Sequence, residues 1–158
     1  MQAQVLVTYD EFGGYGHPDH IQAHRVAMRA AELVAPEWDI QKIYWNTMPR
    51  SVVQKGIDAM KAQGSDFMGA ESADDLPFAK PDEFVTTLID GNEFVDRKMK
   101  AMASHPTQIA LDGPFFALSN NIGLNVWGNE YYTLIKGEKA GPFTSEGWET
   151  DLFAGVIE

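Results

Sequence analysis

The residues best suited to chemistry are two histidines and an aspartate that lie within four positions of one another: His17, Asp19 and His20. They follow a glycine-rich stretch, 13–16, which itself follows the apolar run 5–9. Open α/β proteins hold ligands where a strand end runs through glycines into a helix start. Because the sequence contains no cysteine, imidazole and carboxylate groups are its only strong metal ligands. The pattern therefore predicts a metal site with nitrogen and oxygen ligands.

The position of each residue at this helix start suggests a role. Pro18 biases His17 towards an extended conformation outside the helix, while Asp19 and His20 fall in the first helical turn. The positive end of the helix dipole disfavours a protonated imidazole there, so His20 is expected to be neutral and able to bind a metal ion. Asp19 is placed to accept a hydrogen bond from a ring N–H of His17. Tyr15 is a candidate donor to an oxyanion or a substrate carbonyl.

Each of these residues also has an ordinary structural interpretation. Asp19 alone is typical of a first helical turn, and Tyr15 alone is equally typical of a packing ring. His24 lies one turn beyond His20, where a packed helix residue is favoured over a supporting role in the site. His105 precedes a proline at a helix end and is interpreted as a cation at the helix C-terminus. The clustering of two histidines with an aspartate favours the functional interpretation, and the glycines do not match the dinucleotide fingerprint.

Composition limits the class of protein. The chain has 158 residues, 44% of them hydrophobic, which predicts one α/β domain spanning 1–158. A net charge of −11 argues against binding to nucleic acid or to an anionic membrane surface. No apolar run approaches the roughly 20 residues of a membrane helix, and the first residues do not resemble a signal peptide. These features predict a soluble cytoplasmic protein without disulfides.

Hydrophobic periodicity predicts an alternation of strands and helices, which indicates the α/β class with a mostly parallel sheet. The expected strands are 4–9, 39–46, 84–89, 130–135 and a strand-like run 148–157; the expected helices are 18–35, a helix from Pro49 to near Gly64, and 93–104, with an irregular acidic segment over 65–83. In the helix 18–35, the predicted core face consists of Ala23, Val26, Ala27, Ala30, Leu33 and Val34. In the helix 93–104, Phe94, Met99 and Met102 are expected to point inward. A first strand buried on both faces needs neighbours on both sides, so strands on its N-terminal side are expected to be missing.

Several motifs resemble the LmbE-like, or PIG-L, zinc deacetylases, and within them the actinobacterial branch that acts on mycothiol and its precursors. The specific motif is 7–10 followed by 13–20, Gly-Gly-Tyr-Gly-His-Pro-Asp-His. Supporting segments are Glu93–Gln108, Phe116–Asn121 and Gly128–Tyr132. The branch contains an N-acetylglucosaminyl-inositol deacetylase and a mycothiol conjugate amidase, and Phe116–Asn121 is more similar to the deacetylase. The resemblance implies a Rossmann-like fold of the LmbE type.

The resemblance also implies residue roles. His20 is similar to the histidine that binds the single zinc ion. His17 is similar to the histidine that stabilises the oxyanion or protonates the leaving amine, with Asp19 as its partner carboxylate. Tyr15 is similar to a mobile tyrosine that contacts substrate and oxyanion, and Gln108 to a substrate contact. The implied reaction is removal of an N-acetyl group from a small-molecule amino sugar.

One departure from the family pattern is large. The family's other metal ligands lie in a His-Pro-Asp-Asp motif after its first strand, and no such motif occurs here. The chain therefore resembles the C-terminal part of a larger deacetylase domain, and we expect it to carry half a site and to be inactive alone. Pairing with the missing N-terminal portion, or self-association, is the expected partnership. A conjugate amidase and a non-catalytic interaction fragment remain alternatives, as does iron in place of zinc.

Overall fold

The computed structural model describes residues 2–62, 64, 66–67, 69–109 and 128–157. The strands are β1 (Val5–Thr8), β2 (Lys42–Asn46), β3 (Met48–Pro49), β4 (Ala79–Lys80), β5 (Thr87–Asp90) and β6 (Asn129–Lys136). The helices are α2 (Pro18–Val34), α3 (Arg50–Ala62) and α4 (Val95–Ala103), with 3-10 turns at Ala73–Asp75, Asp82–Phe84 and Asn92–Phe94. The label α1 (Gly13–Gly16) denotes an irregular turn within the loop between β1 and α2, because Gly14 and Tyr15 have non-helical backbone angles. Helices and strands alternate along the described chain, and the predicted α/β class is confirmed.

The chain divides into two compact units. The first contains Met1–Pro49, Pro77–Ile89 and Tyr131–Glu158, and the second contains Arg50–Leu76 and Asp90–Glu130. No helix in the described part of the chain is both long and apolar enough to cross a bilayer.

A four-stranded sheet in the order β1-β2-β6-β5 organises the first unit. Strands β1 and β2 are parallel, with Val5 opposite Lys42, whereas β2 and β6 are antiparallel, with Asn46 opposite Tyr132. The sheet is therefore mixed. β2 is its most buried strand, since its first three residues are inaccessible and lie between two neighbours.

Strand β1 is less buried than its sequence predicted. Among the described strands it lies at the edge of the sheet, and Val7 is 44% exposed. The expectation of a strand buried on both faces is therefore wrong for this chain. An apolar β-branched run fits an edge position as well, because periodicity alone does not fix the number of neighbouring strands.

A buried charged cluster lies beside β2. Lys42 Nζ contacts Glu149 Oε1 at 2.5 Å, and both side chains are almost completely inaccessible. Glu149 also accepts hydrogen bonds from the Tyr44 hydroxyl (3.0 Å), the Thr87 hydroxyl (2.9 Å) and the Ala140 N–H (2.8 Å). Every carboxylate oxygen is thus paired, which a buried charge requires.

The cluster moves two pKa values in opposite directions. Burial acts to raise the pKa of Glu149, but the hydrogen bonds from Lys42, Ala140, Thr87 and Tyr44 together hold it below its ordinary value. Burial, followed by the nearby Glu149 carboxylate, raises the pKa of Tyr44 well above its ordinary value. The folded state therefore keeps Glu149 charged and Tyr44 neutral.

The predicted strand-like run 148–157 is wrong. Only Glu149 forms isolated bridges, to Thr87 and Phe143, and the following residues form turns. Asp151 accepts the N–H of Phe153, and Gly155 has a φ of +74°, which ends any extended ladder. These turn residues, and not the apolar side chains of the segment, determine its backbone conformation.

The second unit is built on α3. Val53, Ile57 and Met60 lie on one face of this helix and are buried, as the 3.6-residue period predicts. The 3-10 turn Ala73–Asp75 packs against it, and Gln54 accepts the Ala73 N–H at 2.8 Å. Ser72 caps that turn in a capping box with Asp75.

The predicted helix 18–35 is confirmed, but of its predicted core face only Ala27 and Val34 are half-buried. None of the α2 residues is buried, and Val26 and Leu33 are 58% and 63% exposed. The half-buried row instead contains His20, Ile21, His24, Ala27, Met28, Ala31 and Val34. His20 and His24 hydrogen-bond backbone carbonyls of the preceding segment, and these bonds fix the rotation of the helix about its axis.

Other element predictions differ in detail. The third predicted strand is shifted, because 82–84 form a 3-10 turn and β5 begins at Thr87. Phe94, expected to point inward, is 47% exposed, and the neighbouring Val95 is buried in its place. Met99 and Met102 are half-buried on α4, in agreement with the prediction.

Candidate functional site

The loop that carries the site begins directly after β1 and returns tightly to the start of α2. The backbone N–H of Gly13 donates to the Asp10 carbonyl at 2.9 Å, and Gly13 has a φ of +68°. A Cβ atom at Gly13 would lie 2.6 Å from the backbone nitrogen of Ile21. Only glycine permits both this conformation and this close approach, so the loop lies directly against the first turn of α2.

The helix start has the predicted form. His17 is extended (φ −69°, ψ 131°) and is the N-cap of α2, and Pro18 takes the first helical position. The His17 side chain also caps the helix, because its Nδ1 atom accepts the Asp19 N–H at 3.2 Å. An imidazole nitrogen that accepts carries no proton, so neutral His17 has its proton on Nε2.

His20 is held in the opposite tautomer. Its Nδ1 lies 3.2 Å from the carbonyl oxygen of Gly13, and since a carbonyl only accepts, Nδ1 is the donor. The imidazole ring stacks on Tyr9, with centroids 4.3 Å apart and planes inclined by 13°. This arrangement leaves the Nε2 lone pair of His20 available, as in metal-binding histidines whose other nitrogen donates to a backbone carbonyl.

The structure brings Tyr15, His17 and His20 together. The Tyr15 ring meets His20 edge-on at 4.9 Å and lies 6.0 Å from the His17 ring, and the two imidazoles are 5.3 Å apart. Tyr15 is 55% exposed. The three side chains form a half-open cluster with one lone pair, one N–H and one phenol available for a ligand.

Asp19 is close to His17, but the predicted hydrogen bond is not formed. Its Oδ2 lies 3.9 Å from His17 Nδ1, beyond hydrogen-bond distance, and its side chain is 90% exposed. The Nδ1 atom is already the acceptor for the Asp19 backbone N–H. In the neutral state, Asp19 therefore orients His17 through its backbone, and its carboxylate is near enough to form an ion pair once His17 is protonated.

The structure also gives contacts for the remaining histidines and for Gln108. His24 donates from Nδ1 to the Tyr9 carbonyl at 2.9 Å and packs edge-on against Trp45, so it is a packed helix residue, as favoured from the sequence. His105 and Gln108 belong to the second unit, where the Gln108 N–H donates to the His105 carbonyl. Gln108 is exposed, and its substrate contact stays a prediction.

Two residues at the site were missed from the sequence. Asp10, with a side chain 11% exposed, accepts the Gly14 N–H at 2.8 Å, and its other oxygen lies 3.2 Å from Lys80 Nζ. The ammonium group also lies over the Phe12 ring at 5.5 Å. Asp10 could have been found as a carboxylate directly after the first strand, but Lys80 gives no local signal, because the parallel pairing of β3 with β4 places it there.

The described residues include one predicted metal ligand, His20. In the part of the chain that the structure covers, no group of three or more His, Cys, Asp or Glu side chains is arranged to hold a metal ion. A catalytic zinc needs about three protein ligands and an open position. His20 has the tautomer that such a site requires, so these residues fit one corner of a zinc site.

The fold and this cluster define an α/β protein with a histidine site at a helix start, and comparison with known proteins narrows the class. No protein-family profile matches the chain. Curated relatives from Geodermatophilus obscurus (54% identical), Catenulispora acidiphila (53%) and Acidothermus cellulolyticus (52%) each match 99% of it. All three are named 1D-myo-inositol 2-acetamido-2-deoxy-alpha-D-glucopyranoside deacetylase, the second with the suffix 1.

These matches confirm the resemblance to the mycothiol-pathway deacetylases along nearly the whole chain. The chain spans about half the length of the curated relatives it matches, from 51% to 56% of each of the three. The segment Phe116–Asn121, which favoured the deacetylase over the amidase, lies outside the described residues.

Proposed function

We propose that this chain is part of a hydrolase that removes the N-acetyl group from an amino sugar linked to inositol. One observation carries the proposal: in a chain 54% identical to a deacetylase named for that substrate, His20 has a free Nε2 lone pair beside His17 and Tyr15. We propose the Rossmann-like, LmbE-type fold of these enzymes for the chain, on the support of the parallel strands β1 and β2, which are connected through α2.

His20 would supply one ligand to a divalent ion, and further ligands would come from outside the described residues. Such an ion polarises an acetyl carbonyl and lowers the pKa of a bound water molecule. Nδ1 of His20 stays bonded to the Gly13 carbonyl, so the ring does not need to reorient when Nε2 binds.

His17 and Tyr15 would donate hydrogen bonds to the acetyl group. Neutral His17 carries its proton on Nε2, from which it can donate a hydrogen bond to the carbonyl oxygen as that oxygen gains charge. Transfer of a proton to the departing amine would come from the imidazolium form, which returns to neutral imidazole. The Asp19 carboxylate, 3.9 Å from Nδ1, stabilises the imidazolium form electrostatically. The Tyr15 hydroxyl provides a second donor to the same oxygen, and closure of this ring over the site would exclude water.

A chimera tests the function directly. This chain replaces the matching portion of the Geodermatophilus obscurus relative, and acetate release from the acetylated sugar-inositol is measured with zinc present. We expect activity, with His17→Ala lowering kcat about 10²–10³-fold and His20→Ala abolishing zinc binding. His105→Gln is the matched control and leaves both unchanged. A folded, zinc-loaded chimera that releases no acetate contradicts the proposal and favours a non-catalytic interaction role.

The same assay separates the deacetylase from the amidase. The chimera is assayed with the acetylated sugar-inositol and, separately, with a mycothiol conjugate, each at the same concentration. We expect a higher kcat/KM for the acetylated sugar, and faster turnover of the conjugate would reverse this assignment.

A further inference from the structure

We propose that Asp10 is the positioning residue that sets the tautomer of His20 through a single peptide group. This inference rests on the proposed function only in taking Nε2 of His20 as the working atom. The connecting group is the peptide between Gly13 and Gly14, which is hydrogen-bonded to the Asp10 side chain through its N–H and to the His20 side chain through its carbonyl oxygen.

The hydrogen bonds define the connection. The N–H of the Gly13–Gly14 peptide donates to Asp10 Oδ1 at 2.8 Å, and its carbonyl oxygen accepts Nδ1–H of His20 at 3.2 Å. In a planar trans peptide these two groups point in opposite directions. Asp10 and His20 therefore hold the same plane from its two edges, and a rotation of that plane breaks both bonds.

The loop needs this restraint because glycines on both sides of the peptide are conformationally free. Gly13 and Gly14 have φ values of +68° and +75°, outside the preferred range of other residues. The Asp10 carboxylate is itself fixed, since its side chain is largely buried and its second oxygen pairs with Lys80. A charged acceptor on the N–H also polarises the peptide and strengthens its carbonyl as an acceptor for His20.

The consequence for His20 is electronic as well as geometric. Its Nδ1 proton is retained by the Gly13 carbonyl, so the lone pair stays on Nε2. Without a fixed carbonyl, either nitrogen can carry the proton, and the ring presents N–H to a ligand for part of the time. Asp10 touches neither metal nor substrate in this arrangement and acts entirely through the peptide.

The tautomer can be read in the chain alone by long-range 1H–15N correlation of the imidazole rings with 15N-histidine labelling. The chain has four histidines, and His20→Gln assigns the signal. We expect the neutral His20 ring to be protonated on Nδ1 and the His17 ring on Nε2. Asp10→Ala should shift His20 towards the Nε2–H tautomer, while His17, whose Nδ1 accepts the Asp19 N–H, serves as an internal control that does not change.

Two further variants separate positioning from general damage to the fold. Asp10→Asn keeps an oxygen acceptor for the Gly14 N–H and should retain the wild-type tautomer. Lys80→Met removes the ion pair and the contact of the ammonium group with Phe12 but leaves Asp10 in place, and it should retain the tautomer too. An Nε2–H signal for wild-type His20, or an unchanged His20 signal in folded Asp10→Ala, overturns the inference. An unchanged signal in Asp10→Ala leaves the deacetylase proposal standing, whereas an Nε2–H signal for wild-type His20 also removes the lone pair on which that proposal rests. A folded chimera that releases no acetate leaves the inference about Asp10 intact.

Discussion

At the scale of single residues, the local geometry of the helix start was predictable and its long-range partners were not. The extended His17 and the proline at the first helical position follow from near neighbours in sequence. Lys80 reaches Asp10 only because two-residue strands pair over a long sequence separation. The predicted hydrogen bond from a ring N–H of His17 to the Asp19 carboxylate is wrong, because Nδ1 of His17 instead accepts the backbone N–H of Asp19.

Gly13 provides a stability prediction at this scale. Gly13→Ala should lower the free energy of unfolding by about 3–4 kcal/mol, because the new Cβ meets the Ile21 nitrogen at 2.6 Å in a strained conformation. Gly147→Ala is the matched control: it has a φ of +80° with nothing within 4 Å, so only backbone strain of about 1–2 kcal/mol applies. Urea denaturation of both variants measures the difference, and equal losses would mean that the close approach is relieved.

At the scale of elements, periodicity predicted most helices and strands, but not how each element turns towards the core. The helix α3 buries the face that its apolar residues define. The helix α2 does not, since hydrogen bonds from His20 and His24 decide its rotation. The run 148–157 failed as a strand because its most buried side chain is a carboxylate, Glu149, which is held by partners distant in sequence.

The Glu149 cluster makes stability depend on pH at both extremes. The folded-state pKa of Glu149 is lowered, so its contribution is complete above the ordinary carboxyl pKa of about 4.5 and is lost as pH falls below it. The pKa of Tyr44 is raised, so its contribution is complete below the ordinary phenol pKa of about 10 and is lost as pH rises beyond it. Thermal melts across pH should show a plateau between these limits.

Glu149→Gln tests the cluster directly. Removing the carboxylate charge leaves Lys42 buried without a counterion, which should cost about 3–5 kcal/mol in the free energy of unfolding. The acid arm of the pH profile should also flatten. Glu138→Gln, an exposed carboxylate, is the control and should change neither. A loss below about 1 kcal/mol would contradict the assigned pairing.

At the scale of the whole molecule, the sequence predicted the class and the relatives but could not tell how much of each apolar surface is covered. The net charge of −11 and the alternating elements indicated an acidic α/β protein. The chain nevertheless leaves Val26 and Leu33 exposed on α2 and Val7 exposed on β1. Apolar residues at core-like spacing do not reveal whether the surface that covers them lies within the same chain.

Because one apolar face of α2 is exposed, polar substitutions on that face should have little effect on the free energy of unfolding. Leu33→Gln should change the free energy of unfolding by no more than about 0.5 kcal/mol, because the side chain is already 63% exposed. Ile43→Ala, at a site only 3% exposed in the same unit, should cost about 2–5 kcal/mol. Chemical denaturation compares the two, and a Leu33→Gln loss of several kcal/mol would show that this face is covered in solution.

The stacking of His20 on Tyr9 has a spectroscopic consequence. A ring lying 4.3 Å above another, with planes inclined by only 13°, lies within the shielding cone of the aromatic ring current. The carbon-bound protons of the His20 imidazole should therefore resonate upfield of those of solvent-exposed His105. A ligand that moves this imidazole off the Tyr9 ring would shift the resonance downfield, whereas binding at Nε2 with the ring held in place would leave the ring-current shift unchanged. The proton spectrum therefore reports whether binding moves the ring.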